Sequence, residues 1–391
     1  MSETPPAGPT GQIPGGDGDN ALEFRDPEKA EAIADKLAEL AANLSDPPAT
    51  IMHVCGSHEQ SIAKFGLRSM LPDDVQLIMG PGCPVCITNM PEVDEAVALA
   101  EAGVTVATYG DMLKVPGTTK SLDDARAEGA DVRIVYSAAD AAEIAEDQDG
   151  EVVFFATGFE TTAAPTASVI LNDPPENFSV LSSHKYVPPA MEIVAEMPDT
   201  DIQGYLAAGN AAIITGSGIF ESIVDEHDLP VVVGGFEPLD ILAGITKLVE
   251  MIGNDEAAVE NAYPRCVTEE GNQQAQRQLW EVFETEDGEW RGIANIPNAN
   301  LVLRDEYAEC GYASISKRRT CGMKALPDSP MTVSAVISCP ARPNPRTVKC
   351  SARNARRTIR SVPVWSPVRG PARYGTSTVG TRIYERHLRC V

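Results

Sequence analysis

Two groups of residues combine types and spacings that can do chemistry: Gly80-Pro81-Gly82-Cys83-Pro84-Val85-Cys86, and Cys55-Gly56-Ser57-His58 earlier in the chain. A Cys-x-x-Cys with proline between the sulfurs and a Gly-Pro-Gly turn before it holds two thiols at disulfide or metal-chelating distance. Such a turn can also lower a thiol pKa. Cys55 adds a third soft donor and His58 an imidazole, so Cys55, His58, Cys83 and Cys86 could instead close a structural zinc site. Plain packing is the remaining alternative, because cysteine is among the most buried residue types. On these residues alone, a reactive thiol and metal site, a zinc site and inert packing all stay open.

Both groups follow short apolar runs, 50–54 and 75–79, which predict buried strands and put the cysteines at carboxyl strand ends. Open α/β sheets bind their ligands there. Further strand-like runs recur at 104–108, 132–136, 152–156, 178–181, 211–214 and 230–233, with helical periodicity between most of them. That alternation predicts parallel sheets covered by helices. Asp26-Pro27 opens a helix with apolar positions Ala30, Ile33, Leu37 and Leu40, which stops before Asp46-Pro47-Pro48. A second helix runs from Gln273 to Phe283.

The expected fold class is therefore α/β, with two parallel-sheet α/β domains plus a smaller third domain that is incomplete here. The expected division is a Pro- and Gly-rich disordered tail (1–21), an N-terminal helix packing on the third domain (22–48), a first α/β domain carrying the cysteine site (49–148), a second α/β domain (149–260) and the start of the third (261–309). The polar turn 147–150 supplies the boundary between the first two. Residues 310–391 form a tail of different character.

Several loops leaving the strands carry more chemistry than a connector needs. Tyr109-Gly110-Asp111-Met112-Leu113-Lys114-Val115-Pro116-Gly117 offers an acid and a base, and Thr157-Gly158-Phe159-Glu160-Thr161-Thr162 follows its strand directly. His184-Lys185 and Gly235-Phe236-Glu237-Pro238-Leu239-Asp240 do the same. Singly, each reads as a helix cap or a satisfied turn. Together at strand ends they suggest a cleft between domains, with Asp111, Glu160 and Glu237 as candidate site carboxylates.

The chain has 391 residues, nine cysteines and a net charge of -26. No run is long and apolar enough for a membrane span, and the N-terminus lacks a signal-peptide pattern, so a cytoplasmic protein is expected. Nine cysteines with one tight Cys-x-x-Cys fit metal or redox work better than a disulfide framework. From Gly311 onward there are 16 Lys+Arg against 2 Asp+Glu, leaving 15 against 55 in the first 310 residues. That acidic part resembles a salt-adapted surface and argues against binding a nucleic-acid backbone.

Taken in order, Cys55-Gly-Ser-His58, Gly-Pro-Gly-Cys83-Pro-Val-Cys86, Tyr-Gly110-Asp111-Met-Leu-Lys-Val-Pro116-Gly117, Thr157-Gly-Phe-Glu160-Thr-Thr162, Gly235-Phe-Glu237-Pro-Leu-Asp240 and Trp290-Arg-Gly292 resemble the ordered motifs of the HypD family of hydrogenase maturation proteins. The resemblance covers about 22–309. It implies an assembly scaffold with redox activity, neither a hydrolase nor a conventional turnover enzyme. With a small HypC-type chaperone, such a protein builds the iron-dicyano-carbonyl group of nickel-iron hydrogenases, and a HypE-type partner donates the cyanide. Cys55 is then the candidate iron ligand, with His58 orienting or polarising the site and Cys83 and Cys86 cycling between dithiol and disulfide. A 4Fe-4S cluster is expected from the family but not from this chain. The competing functions are a thiol-disulfide oxidoreductase and a zinc-stabilised scaffold.

Two departures from the family pattern stand out. Asn210 occupies the place of a histidine in a Pro-Gly-His turn, and none of the cluster motifs can be read after Gly311. If each true codon joins the third base of one printed codon to the first two of the next, 363–372 can encode Cys-Met-Val-Ser-Ser-Glu-Gly-Ala-Cys, the family's C-terminal signature. The same shift restores the other missing cysteine motifs. Residues 310–391 are thus expected to be out of frame and disordered, with the change beginning near Cys310.

Overall fold

The computed structural model describes residues 24–197 and 200–314. Its strands, in chain order, are β1 (Ala49–His53), β2 (Val75–Met79), β3 (Thr105–Thr108), β4 (Val132–Ile134), β5 (Val152–Gly158), β6 (Phe178–Lys185), β7 (Gly204–Ala208), β8 (Val231–Gly234), β9 (Val259–Asn261), β10 (Phe283–Glu289) and β11 (Asn295–Leu303). A five-stranded sheet has the order β2-β1-β7-β8-β9 and is parallel throughout. A six-stranded sheet has the order β10-β11-β6-β5-β3-β4, with β10 and β11 antiparallel to their neighbours and the other strands parallel. The α/β class with parallel sheets is as the apolar runs predict.

Buried central strands need apolar residues on both faces, and β5 shows why its run is unbroken: every residue of Val-Val-Phe-Phe-Ala-Thr-Gly is buried. In each sheet the strand order reverses once within the parallel part. β1 lies between β2 and β7, and β3 lies between β4 and β5. Loops part at such switch points and leave a crevice at the carboxyl ends. Cys55 and Asn210 leave the first switch point; Asp111 and Glu160 leave the second.

The sheets do not follow a division at residue 148. The first sheet takes β1 and β2, the chain then builds β3 to β6 of the second, returns for β7 to β9, and crosses again to add β10 and β11. Parallel neighbours need not be consecutive, so a chain that alternates strand and helix leaves its sheet membership unstated. Residues 261–309 do not start a separate unit among the described residues. The Gln273–Val282 helix buries Leu279 and Val282 in the second sheet's core, and the β10-β11 hairpin extends that sheet through β6.

The N-terminal helix, Pro27–Ala41, also packs elsewhere than expected. Asp26 caps it by accepting from the Glu28 and Lys29 amides, and Pro27 takes the first turn, where a missing N–H costs nothing. Its Leu37 and Ala41 join Leu242, Ile245 and Leu248 of the Pro238–Gly253 helix in the first sheet's core. Full burial of a leucine such as Leu37 contributes about 2 kcal/mol. The 211–214 run is helical, within Gly209–Thr215, and the strand is β7 just before it. A four-residue apolar run carries no period of its own, so burial alone could not separate the two.

The expectations for 1–21 and for most of 310–391 lie outside the described residues. Gly311 pairs with Val180 in an isolated bridge, and the Tyr312 hydroxyl reaches the Glu95 carboxylate. Folded, packed sequence therefore continues past Cys310 to Tyr312.

Candidate functional site

β1 and β2 pair in register through His53 and Met79, so their exits run side by side. The Gly80 amide donates to the His53 carbonyl at 2.9 Å, and the Gly56 amide donates to the Gly82 carbonyl at 3.1 Å. Gly82 has no room for a side chain: a Cβ there would lie 2.2 Å from the Val54 carbonyl and 2.3 Å from the Cys55 amide nitrogen. The glycine of the Gly-Pro-Gly turn thus lets one cysteine loop lie directly on the other. Cys55 then caps the Gly56–Phe65 helix in extended conformation, and Cys83 does the same for the single turn Pro84–Ile87.

The sulfurs grade from interior to surface. Cys55 is 6% exposed among Ala208, Ala211 and Phe236, Cys83 is half-buried, and Cys86 is exposed. The Cys83 and Cys86 sulfurs are 2.7 Å apart, the Cys86 thiol pointing to Cys83. Burial pushes the Cys55 thiol above its ordinary pKa, although the His58 and Ser57 backbone amides and the Ser57 hydroxyl pull the other way. Its sulfur lies 4.0 Å from the Asn210 side-chain oxygen across the switch point.

His58 sits three residues into the helix that Cys55 caps. Its Nε2 lies 3.0 Å from the Gly235 carbonyl and 3.3 Å from that of Gly234, and carbonyls only accept, so Nε2 carries the proton. Burial, with His53 nearby, lowers the His58 pKa to about 4 and leaves the ring neutral at physiological pH. The ring lies 4.9 Å from that of Phe236. Nδ1 keeps a buried lone pair with no hydrogen-bond partner among the described residues. His58 thereby fastens the loop after β8 to the helix after β1.

The other wall of the site comes from the second sheet. Trp290, at the tip of the β10-β11 hairpin, is buried with Ile87, Ala190, Ile296 and Ala299, and its ring lies 6.1 Å from that of Phe159. The Arg291 amide donates to the Ile87 carbonyl at 3.0 Å, and the Arg291 guanidinium donates to the Pro116 carbonyl. Just after the dithiol, Asn89 and Glu92 form a capping box at the head of the Met90–Glu101 helix. Glu92 also accepts from the fully buried Lys185 ammonium at 2.6 Å, and the Asn89 amide donates to Glu289 at 3.0 Å. The Cys-x-x-Cys turn hangs from the first sheet and is clamped by the second.

The candidate carboxylates separate. Glu160 is 1% exposed; one oxygen accepts the Val187 amide at 2.9 Å, and the other has no partner among the described residues. Burial raises its pKa to about 7. It adjoins the site through Phe159. Asp111 is exposed on the turn after β3, and its side chain makes no hydrogen bond among the described residues. Glu237 forms a two-pronged ion pair with Arg25 at 2.5 and 2.6 Å, while Asp240 pairs with Arg265. Their role is to tie loops down.

The structure thus gathers Cys55, His58, Cys83 and Cys86 and places Glu160 behind them, while Asp111 is exposed and Glu237 is paired with Arg25. It adds Asn210, Pro116, Trp290 and Arg291. Only the Trp-Arg-Gly motif had signalled the last two. Among the described residues no three His, Cys, Asp or Glu side chains converge as a metal cage, and the His58 Nε2 faces backbone carbonyls. The thiols can bind a soft metal with positions left open, and the close pair can shuttle two electrons. Among the described residues no helix is long and apolar enough to cross a membrane.

Comparison with known proteins adds the family context. The HypD profile, described as the hydrogenase formation hypA family, matches residues 28–343, a range that runs past Cys310. The chain is 42% identical over 304 residues to hydrogenase maturation factor HypD2 of Bradyrhizobium diazoefficiens, covering 74% of this chain and 79% of that one. It is 40% identical over 295 residues to hydrogenase maturation factor HypD of Escherichia coli, covering 73% and 79%. The HypD of Cupriavidus necator is 40% identical over 299 residues, with 73% and 78% covered.

Proposed function

The chain belongs to the HypD family of hydrogenase maturation factors, and from that premise we propose that it is the scaffold on which the iron-dicyano-carbonyl group is assembled. Iron is the cargo. Cys55 is its ligand from this chain, a HypC-type chaperone shares it, and a HypE-type protein supplies the cyanide. The observation that carries this reading is the contact of the two cysteine loops through the Gly56-to-Gly82 hydrogen bond, which sets a buried thiol beside a dithiol at a switch point.

The chemistry follows from the environments. Low-spin iron bearing cyanide and carbon monoxide favours soft, strong-field donors, which thiolates supply. Burial keeps the Cys55 thiol protonated until a cation arrives, so iron capture releases a proton from it. Neutral His58 holds the loop behind Cys55 without adding charge that would oppose the metal. Cys83 and Cys86 are suited to cycle between dithiol and disulfide, delivering or accepting two electrons near the iron. The 4Fe-4S cluster of the family enters no step here, since Cys321, Cys339, Cys350 and Cys390 lie outside the described residues.

The test is the iron content of the anaerobically purified complex with the HypC-type partner. Cys55→Ala should reduce retained iron to background, whereas Cys86→Ala should leave it bound. Iron unchanged by Cys55→Ala would overturn the assignment. A thiol-disulfide oxidoreductase, favoured only by the close and partly exposed sulfur pair, would exchange disulfides without iron and ignore the loss of Cys55.

A further inference from the structure

Cys55 is closed in by a segment that leaves a different strand. Its apolar neighbours are Ala208, Ala211 and Phe236, and Phe236 belongs to residues 235–240, which follow β8. His58 holds that segment through the Gly235 carbonyl at 3.0 Å and the Phe236 ring at 4.9 Å. A second grip on it comes from Tyr263 and Arg265, which follow β9.

Tyr263 lies flush against two loops at once. A Cβ on Gly235 would sit 2.6 Å from one edge of its ring, and a Cβ on Gly209, the neighbour of Asn210, would sit 2.7 Å from the other. The ring also meets that of Phe236 edge-on, with centres 6.3 Å apart. Arg265 locks this arrangement. Its guanidinium forms a two-pronged pair with Asp240 at 2.7 and 2.5 Å, and its central carbon lies 4.4 Å from the centre of the Tyr263 ring and 4.0 Å from that of Phe24. Asp240 is 4% exposed and also accepts the Glu237 amide at 3.2 Å. A carboxylate so buried needs its charge partner. A planar guanidinium can grip it with its edge while its faces stack on aromatic rings, which an ammonium cannot do.

We propose that Arg265 is a positioning residue for Cys55: by holding Asp240 and stacking on Tyr263, it fixes the turn at Gly235 and Phe236 that closes over the thiol. This rests on the proposed function only for the part that Cys55 plays there. Arg265 acts through Asp240, Tyr263 and Phe236, and what it governs is access. While the turn stays closed, Cys55 is shielded from small reagents. When the turn opens locally, the thiol is uncovered without unfolding of the sheet.

Alkylation of the reduced full chain by iodoacetamide, with Cys55 and Cys86 followed separately by mass spectrometry, tests this. The readout is the ratio of the Cys55 rate to the Cys86 rate, because exposed Cys86 serves as the internal reference. Arg265→Met should raise that ratio about 10-fold, since it strands the Asp240 carboxylate and frees the turn. Arg265→Lys keeps the charge but loses the planar fork and the stack, so it should fall between Arg265→Met and wild type. Phe24→Ala removes one face of the stack and should raise the ratio about 3-fold. Ile170→Ala opens a cavity in the second sheet's core, and it should lower stability while leaving the ratio unchanged. A ratio equal to wild type in folded Arg265→Met overturns the proposal, as does an equal rise in Ile170→Ala, which would mark the effect as general loosening. Where Arg265→Met does not fold, Phe24→Ala decides, and a ratio equal to wild type there overturns the proposal as well. No iron enters this assay, so its failure leaves the Cys55 iron test standing, and loss of the iron assignment leaves this ratio readable.

Discussion

The two walls of the cysteine site are made by different means. On the first-sheet side, Cys55, His58, Asn210 and Phe236 leave the ends of β1, β7 and β8, three adjacent parallel strands, and their meeting is a direct result of strand order. On the second-sheet side, Trp290 and Arg291 arrive on an antiparallel hairpin more than two hundred residues beyond the dithiol and are held by burial of one indole. The first wall is buried and favours the neutral forms of Cys55 and His58. The second hooks Arg291 onto the carbonyls of Ile87 and Pro116. One scaffold thus gives three cysteines two environments, a buried thiol and a close, partly exposed pair.

The most damaging way to break the first wall is Gly82→Val. Its side chain would meet Val54 and Cys55 backbone atoms that cannot swing aside, so a loss of more than about 3 kcal/mol is expected. Urea denaturation, or failure to obtain soluble protein, reads it. A stable Gly82→Val protein would show that the two cysteine loops are not in contact.

The second wall breaks at Trp290→Ala, which removes the largest side chain of its small core and should cost about 3 kcal/mol or more. A folded variant should still retain iron, since Cys55 stands on the other wall. Loss of iron in a folded Trp290→Ala protein would mean that the walls are not independent.

A pH series sharpens the contrast, because the walls carry opposite titrations. His58 is held neutral, with its pKa lowered from 6.5 to about 4, so between these values the unfolded chain binds the extra proton and stability falls as pH falls. Glu160 is held protonated, with its pKa raised from 4.5 to about 7, so in that window the folded chain binds the extra proton and stability falls as pH rises. Where the windows overlap these two slopes oppose each other, and buried His184, with its pKa lowered to about 3, adds to the His58 slope. Glu160→Gln should expose the histidine slope, steepening the rise of unfolding free energy with pH by about 1 kcal/mol per unit. Denaturant midpoints at three pH values between the two pKa ranges check this, and an unchanged slope would remove Glu160 as a proton holder.

The smallest effect is expected at Glu237→Ala. Glu237 pairs with Arg25 at a partly exposed position, where each group keeps 29% and 44% of its accessibility. Solvent screens such a pair, so its contribution to stability is small. Thermal unfolding with little change in midpoint, and normal iron retention, would confirm that this carboxylate stands outside the site.

Much of this was legible from residue order. The Gly-Pro-Gly-Cys-Pro-Val-Cys turn and the buried strands before each cysteine determined that thiols would stand at carboxyl ends, because a turn needs glycine and proline and a covered parallel strand needs an unbroken apolar run. The Asp26 cap and the sites of most strands were local matters too. Which strands become neighbours was decided only by tertiary structure, since sheet pairing joins segments whose separation in sequence carries no mark of it. That is why residue 148 does not divide the sheets, why the N-terminal helix rests on Pro238–Gly253, and why Asn210 faces Cys55. The same limit separates the carboxylates: Asp111, Glu160 and Glu237 look alike in the sequence, but burial alone made one a proton holder, while exposure and an arginine partner left the others to the surface.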